Sequence, residues 1–174
     1  MENMLATRMV GQELDNRKSI KEVLKSLEEQ YGLKHRRLAN KRILFELLIP
    51  KNEERAFLWM PESKIYSDGR AWVDLNELQK IEGARYHKRI GIIRLGDGNL
   101  AYINLEDLNR YLTQNTRKHN SREGNFWRLY IWHRKSTPYV EICGKVGEGA
   151  KRMSIQVNND GLIKKHLANS RNLP

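Results

Sequence analysis

The sequence predicts an α+β fold on a mostly antiparallel sheet, and three observations carry that prediction. An amphipathic stripe covers 17–31, a short apolar run follows at 43–50, and a β-hairpin–helix pattern occurs twice, near 55–81 and 88–112. Strand patterns clustered around short helices, without the regular alternation of a parallel α/β sheet, define this class. A chain of 174 residues suits one such domain with an arm. The expected organisation is an arm and amphipathic helix over 1–33, then a single α+β domain over 34–174 with a basic C-terminal third.

Residues 1–14 show no period and are expected to be an arm. From Arg17 to Tyr31, Ile20, Val23, Leu24, Leu27 and Tyr31 fall at helical spacing between charged residues. Asp15 or Asn16 can cap the start and Gly32 suits the position after the end. The stripe has to pack on the domain or on a second copy, so a homodimer is one expectation.

The segment KHRRLANKR (34–42) follows, with five basic residues and no acidic one. ILFELLIP (43–50) reads as a buried strand closed by Pro50, and 55–60 as its neighbour. Ser67-Asp68-Gly69-Arg70 and Asp97-Gly98-Asn99 are turn signals. After each turn comes a related segment, AWVDLNELQKI at 71–81 and AYINLEDLNRYL at 101–112, aligned at a constant offset of 30. Ala71 matches Ala101, Val73 matches Ile103, and Leu75 and Leu78 match Leu105 and Leu108. The helices of both copies carry acidic surfaces (Asp74, Glu77, Glu82, Glu106, Asp107) that would repel a phosphate backbone, so they read as scaffold. A fainter third copy covers 155–167.

The C-terminal third holds the distinctive pattern. Residues 109–140 carry seven basic residues against one acidic, within a chain of net charge +11. Localised positive charge points to a polyanionic partner. Thr113 to Gly124 is a polar loop in which Arg117, Lys118 and Arg122 are placed to clamp phosphates. FWRLYIWHRK (126–135) is a strand with Trp127, Leu129 and Ile131 on one face and Arg128, Tyr130, Trp132 and Arg134 on the other, followed by Lys135. A turn at 136–138 returns the chain so that Val140 and Ile142 share the apolar face and Tyr139 joins the arginines. Guanidinium groups meet phosphates with fork geometry, and aromatic rings stack on bases. A two-stranded ribbon also fits a major groove. Arg36, Arg37 and Lys41 form a second phosphate-contacting candidate. The bland alternative places Tyr130 and Trp132 in a second small core.

The function these residues predict is nucleic-acid binding, with DNA ahead of RNA. Two other classes compete. A Mg²⁺-dependent nuclease of restriction or resolvase type would use Glu141 and Lys145 with distant acids such as Asp68, Asp74 and Glu46. Its acid and lysine are separated by three residues rather than one. A protein-interaction module would set the basic surface against an acidic partner. Gly144, Gly147 and Gly149 fit neither phosphate-loop pattern and read as a flexible turn from which Lys145, Lys151 and Arg152 can touch a nucleic-acid backbone. His35, His87, His119, His133 and His166 lack metal-ligand spacing, so no cofactor is expected beyond the nuclease's Mg²⁺. Cys143, the single cysteine, excludes an internal disulfide and reads as a buried, inert thiol. No apolar run reaches the ~18 residues of a membrane span, and the first ten residues lack a signal peptide's apolar block. A cytoplasmic location is the expectation.

Overall fold

The computed structural model describes residues 16–39, 41–145, 147 and 149–168. The expected arm at 1–14 and the cap at Asp15 lie outside them. The fold is α+β, with two sheets and few helices.

Helix α1 (Ile20–Tyr31) begins at Ser19, whose hydroxyl accepts from the Glu22 N–H while the Glu22 carboxylate accepts from the Ser19 N–H. This reciprocal capping box, rather than Asn16, starts the helix. Gly32 ends it at φ 66°, a left-handed conformation that costs little without a Cβ. Val23, Leu24 and Leu27 are buried with Phe45, Leu47, Leu58 and Ile92, so the stripe packs on the chain's own sheet. The argument for a homodimer from an unpartnered stripe is thereby removed.

The first sheet runs β1 (Lys34–Arg37), β2 (Leu44–Ile49), β3 (Glu54–Trp59), β6 (Lys88–Leu95), β7 (Leu100–Asn104) and β12 (Gln156–Val157), with β4 (Glu62–Ser63) also paired to β6. Pairing is antiparallel except where β6 lies parallel to β3 and β4. The second sheet has β5 (Ala71–Asn76) beside β9 (Gly124–Trp132). On the other side of β9 lie β8 (Lys118–Asn120) at one end and β10 (Tyr139–Ile142) at the other, with β11 (Lys151–Ser154) outside β10.

Strand alternation divides the interior into two cores. Phe57, Trp59, Ile93 and Ile103 face Val73, Leu75, Leu129, Ile131 and Val140 between the sheets. The opposite side of the first sheet buries Phe45, Leu58 and Ile92 under α1 and the C-terminal Ile163 and Leu167. Helix α4 (Gly161–Ile163) and the π-helical turn Lys164–Ala168 carry these last two. The layers are therefore helices, first sheet, second sheet. The outer face of the second sheet carries mostly half-buried side chains, with Phe126 buried.

The two related segments part company. Each strand runs into a helix through an asparagine N-cap, Asn76 for α2 (Glu77–Ala84) and Asn104 for α3 (Leu105–Asn109). The caps are not aligned residues, since the second helix starts earlier in its copy. Leu108 is fully buried, whereas its match Leu78 is 63% exposed. Only the second copy forms the expected hairpin, β6–β7 around Gly98 at φ 88°. In the first copy the strand after the turn crosses into the second sheet and pairs with β9. The third copy pairs its short strand with β7 and then turns helical.

Candidate nucleic-acid interface

The outer face of the second sheet is built by alternation. On β5, Ala71, Val73 and Leu75 point inward, which leaves Trp72, Asp74 and Asn76 outward, with Arg70 entering the strand. On β9 the outward set is Phe126, Arg128, Tyr130 and Trp132. Opposed residues in an antiparallel pair share a face. Register therefore sets Trp72 beside Tyr130, Tyr139 beside Trp132, Glu141 beside Tyr130 and Arg152, and Lys118 beside Phe126. The result is two cross-strand aromatic pairs, Trp72–Tyr130 and Trp132–Tyr139, the latter with ring centroids 6.1 Å apart.

Cations lie over these rings. The Arg128 guanidinium sits 4.2 Å from the Trp72 ring centre, Arg70 sits 4.9 Å from Tyr130, and Arg152 sits 4.7 Å from Tyr139. The Lys135 ammonium is 5.3 Å from Trp132. Three of these arginines also hold a carboxylate. Arg128 donates from Nε and Nη2 to the two oxygens of Asp74, each at 2.9 Å. Arg152 reaches Glu141 at 2.8 Å and Arg70 reaches Asp68 at 2.7 Å. The hydrogen bond from Arg128 to Asp74 holds the guanidinium pKa above its ordinary value, against a smaller opposing effect of burial. The rings are half-buried beneath their own cations, not sunk into a second core.

Of the sequence-predicted contacts, Lys118, Arg128, Tyr130, Trp132 and Tyr139 share this face. Arg134 does not. The strand ends at Trp132; His133 points inward, as the alternation places it, with its Nε2 3.0 Å from Asp97 Oδ2, and Arg134 and Lys135 fall in the turn. Arg134 lies over the rim, 3.7 Å from Asp97. The polar loop is more ordered than its composition suggests. Thr116 is buried and donates to the Tyr111 carbonyl, and Asn120 accepts from the Arg122 and Glu123 N–H groups to turn β8 into β9. Arg117 lies 3.6 Å from Glu77, while Lys118 and Arg122 are exposed. Arg36, Arg37 and Lys41 are elsewhere, at the edge strand of the first sheet and the loop after it.

Sequence reasoning missed Trp72 and Arg70, and it placed Arg152 in a flexible turn near a backbone rather than on this face. For Trp72 the signal existed, since AWVDLN alternates as cleanly as β9 does. For the arginines no local signal distinguishes them from other surface cations.

The nuclease constellation does not assemble. Glu141 and Asp74 sit two strands apart on the open face, about 10 Å by strand spacing alone. Each of Glu141, Asp74 and Asp68 is held by its own arginine. Glu46 lies in the first sheet, bound to Arg36 and Arg55. Lys145 is an exposed loop residue whose backbone N–H donates to Asn115. Among the described residues, no group of three or more His, Cys, Asp and Glu side chains is placed to hold a metal ion. Cys143 lies just past β10 and is half-buried, not buried. No helix among the described residues is long and apolar enough to cross a membrane.

This geometry defines an α+β protein with an open, arginine- and aromatic-bearing sheet face. No protein-family model, curated protein or solved structure matches the chain at a significant level.

Proposed function

We propose that this protein binds nucleic acid, DNA in particular, on the outer face of the second sheet. One observation carries the reading: two cross-strand aromatic pairs, half-buried on the outer face of the second sheet, each ring with a cation over it. A base is a planar group that can replace a guanidinium on such a ring, and the displaced arginine is then free to meet a phosphate. The face suits unpaired bases better than a duplex. The β9–β10 hairpin is flanked by β5, β8 and β11, so it is not a free ribbon that can enter a major groove. Lys118 extends the positive edge along β8, and Arg134 and Lys135 extend it past the end of β9. Rings and guanidiniums address groups common to DNA and RNA, and direct competition decides between them.

The test is Trp132→Ala, with affinity for single-stranded DNA, duplex DNA and RNA measured beside the melting temperature. The substitution removes no charge, so the salt dependence should stay while affinity for unpaired strands falls by about 1–3 kcal/mol. Unchanged affinity in a folded variant overturns the reading.

A further inference from the structure

A second concave site lies away from the aromatic face, where β1 and the loop after it meet the end of α2. Its cavity of about 630 Å³ lies within the range of small-molecule sites. At its floor is Glu46, 9% exposed. The Glu46 Oε1 accepts from Arg36 Nη2 at 3.0 Å and from Arg55 Nη1 at 3.2 Å, and Oε2 accepts from the Tyr86 hydroxyl at 2.8 Å. One carboxylate thus pins two guanidiniums by one N–H each. Among the described residues, the other donors of both forks make no hydrogen bond, although the side chains are 67% and 60% exposed. Lys41 and Arg85 add positive charge to the lining, with Arg85 lying 3.5 Å from Glu82, the lining's other acid, while the Arg37 guanidinium turns to the opposite side of the sheet over the Phe45 ring. Leu38, Ala39 and the Tyr86 ring supply an apolar wall. Burial, with the hydrogen bond to Glu46, pushes the Tyr86 hydroxyl up to about 12, so it remains a donor across the neutral range.

Four cations, Arg36, Arg55, Lys41 and Arg85, face the two acids Glu46 and Glu82, which leaves a surplus of two positive charges in the cleft. The surplus is concentrated, oriented and one-sided, which is what a compact dianion requires. We infer that this cleft binds the terminal phosphate of a nucleotide, with Arg36 and Arg55 as its fork, Lys41 as a point charge and Tyr86 beside the base. A terminal phosphomonoester carries about −1.5 to −2 at neutral pH, whereas an internal diester carries one charge. The ligand is therefore a free mononucleotide or the phosphorylated end of a strand. The inference stands apart from the aromatic face and does not need it.

The probes are adenosine, adenosine 5′-monophosphate, and one oligonucleotide with and without a 5′-phosphate. Amide NMR shifts and titration calorimetry are read on the full chain. Saturable binding of the monophosphate but not adenosine is expected, with shifts centred on residues 36–41, 46, 55 and 85–86. Lys41→Gln with Arg85→Gln should weaken it about tenfold. Arg85 is exposed and Lys41 half-buried, and the melting temperature of the double variant is read beside its binding to confirm that it folds. Tighter binding of the phosphorylated oligonucleotide, lost in the same variant, assigns the site to strand ends. Equal binding of both oligonucleotides beside saturable monophosphate binding assigns it to free nucleotides. The inference is overturned if the monophosphate fails to saturate and the two oligonucleotides bind equally. It is likewise overturned if the shifts fall on 128–139 instead, or if the double variant binds as the parent does. Loss of oligonucleotide binding in Trp132→Ala with the monophosphate unaffected would show that the two sites stand separately.

Discussion

Asp74 accepts two hydrogen bonds from Arg128, and so holds the guanidinium flat above Trp72. That carboxylate fixes the geometry of the face and also cancels a charge on it. If the face binds a polyanion, Asp74→Asn should raise affinity severalfold at low salt and steepen the salt slope by about 0.9, at some cost in melting temperature. Gel-shift titrations at several salt concentrations check this, and a loss of affinity in the folded variant would count against the face. The pairing itself was not legible, because the partners are 54 residues apart, whereas the alternation that turns each residue outward was. Asp97 tells a similar story at the rim. Burial raises its pKa, but the Asn99 N–H and the His133 ring outweigh burial and leave it below 3.8. A lowered carboxylate stabilises the fold above its unfolded-state value and loses that contribution as pH falls through the folded-state value. Asp97→Asn should therefore lower the melting temperature near neutral pH, with the gap to the parent closing as pH falls below the unfolded-state value of about 3.9 and on through the lower folded-state value. Thermal melts across pH check this, and a constant gap would assign the effect to packing.

At the scale of elements, local signals located helices and turns well and partners poorly. The stripe of α1 and the left-handed Gly32 were visible in sequence, while its starting cap was misplaced because Ser19 and Glu22 form a better reciprocal pair than Asn16 offers. The strand pattern over 126–135 was visible, and alternation faces His133 inward, but neither the strand's end at Trp132 nor the partner Asp97, from the other sheet, was. The related segments show the limit most clearly. Their alignment is real, yet β5 and β7 lie in different sheets, so equivalent leucines meet different surroundings. Leu108→Ala should cost about 2–5 kcal/mol by opening a cavity between the sheets. Leu78→Ala should stay within about 0.5 kcal/mol, as its side chain is already in solvent. Chemical denaturation of both variants checks the contrast. Similar costs for the two would mean that the exposed helix face is covered in solution.

For the whole molecule, the charge map read from sequence was accurate in amount and incomplete in arrangement. The basic segment at 34–42 and the basic C-terminal third lie in different sheets, and many of their cations are already matched to acids brought in from the balanced middle of the chain. Pairing of that kind depends on tertiary contacts and leaves no trace in a running sum. It changes what a salt titration should show. A cation that already faces a carboxylate releases fewer counterions when it meets a phosphate, because part of its charge is neutralised before binding. Lys118 stands exposed on β8 with no ion pair among the described residues, whereas Arg117, one residue earlier, lies 3.6 Å from Glu77. Lys118→Ala should reduce the slope of log affinity against log salt by about 0.7 on a single strand. Arg117→Ala should reduce it by clearly less, and Glu77→Gln should restore to Arg117 most of a full unit. Titrations of the three variants on one single-stranded ligand, from low to physiological salt, separate these outcomes. Equal slopes for all three would place the ligand elsewhere on the molecule, since a strand lying along β8 and β9 passes both positions.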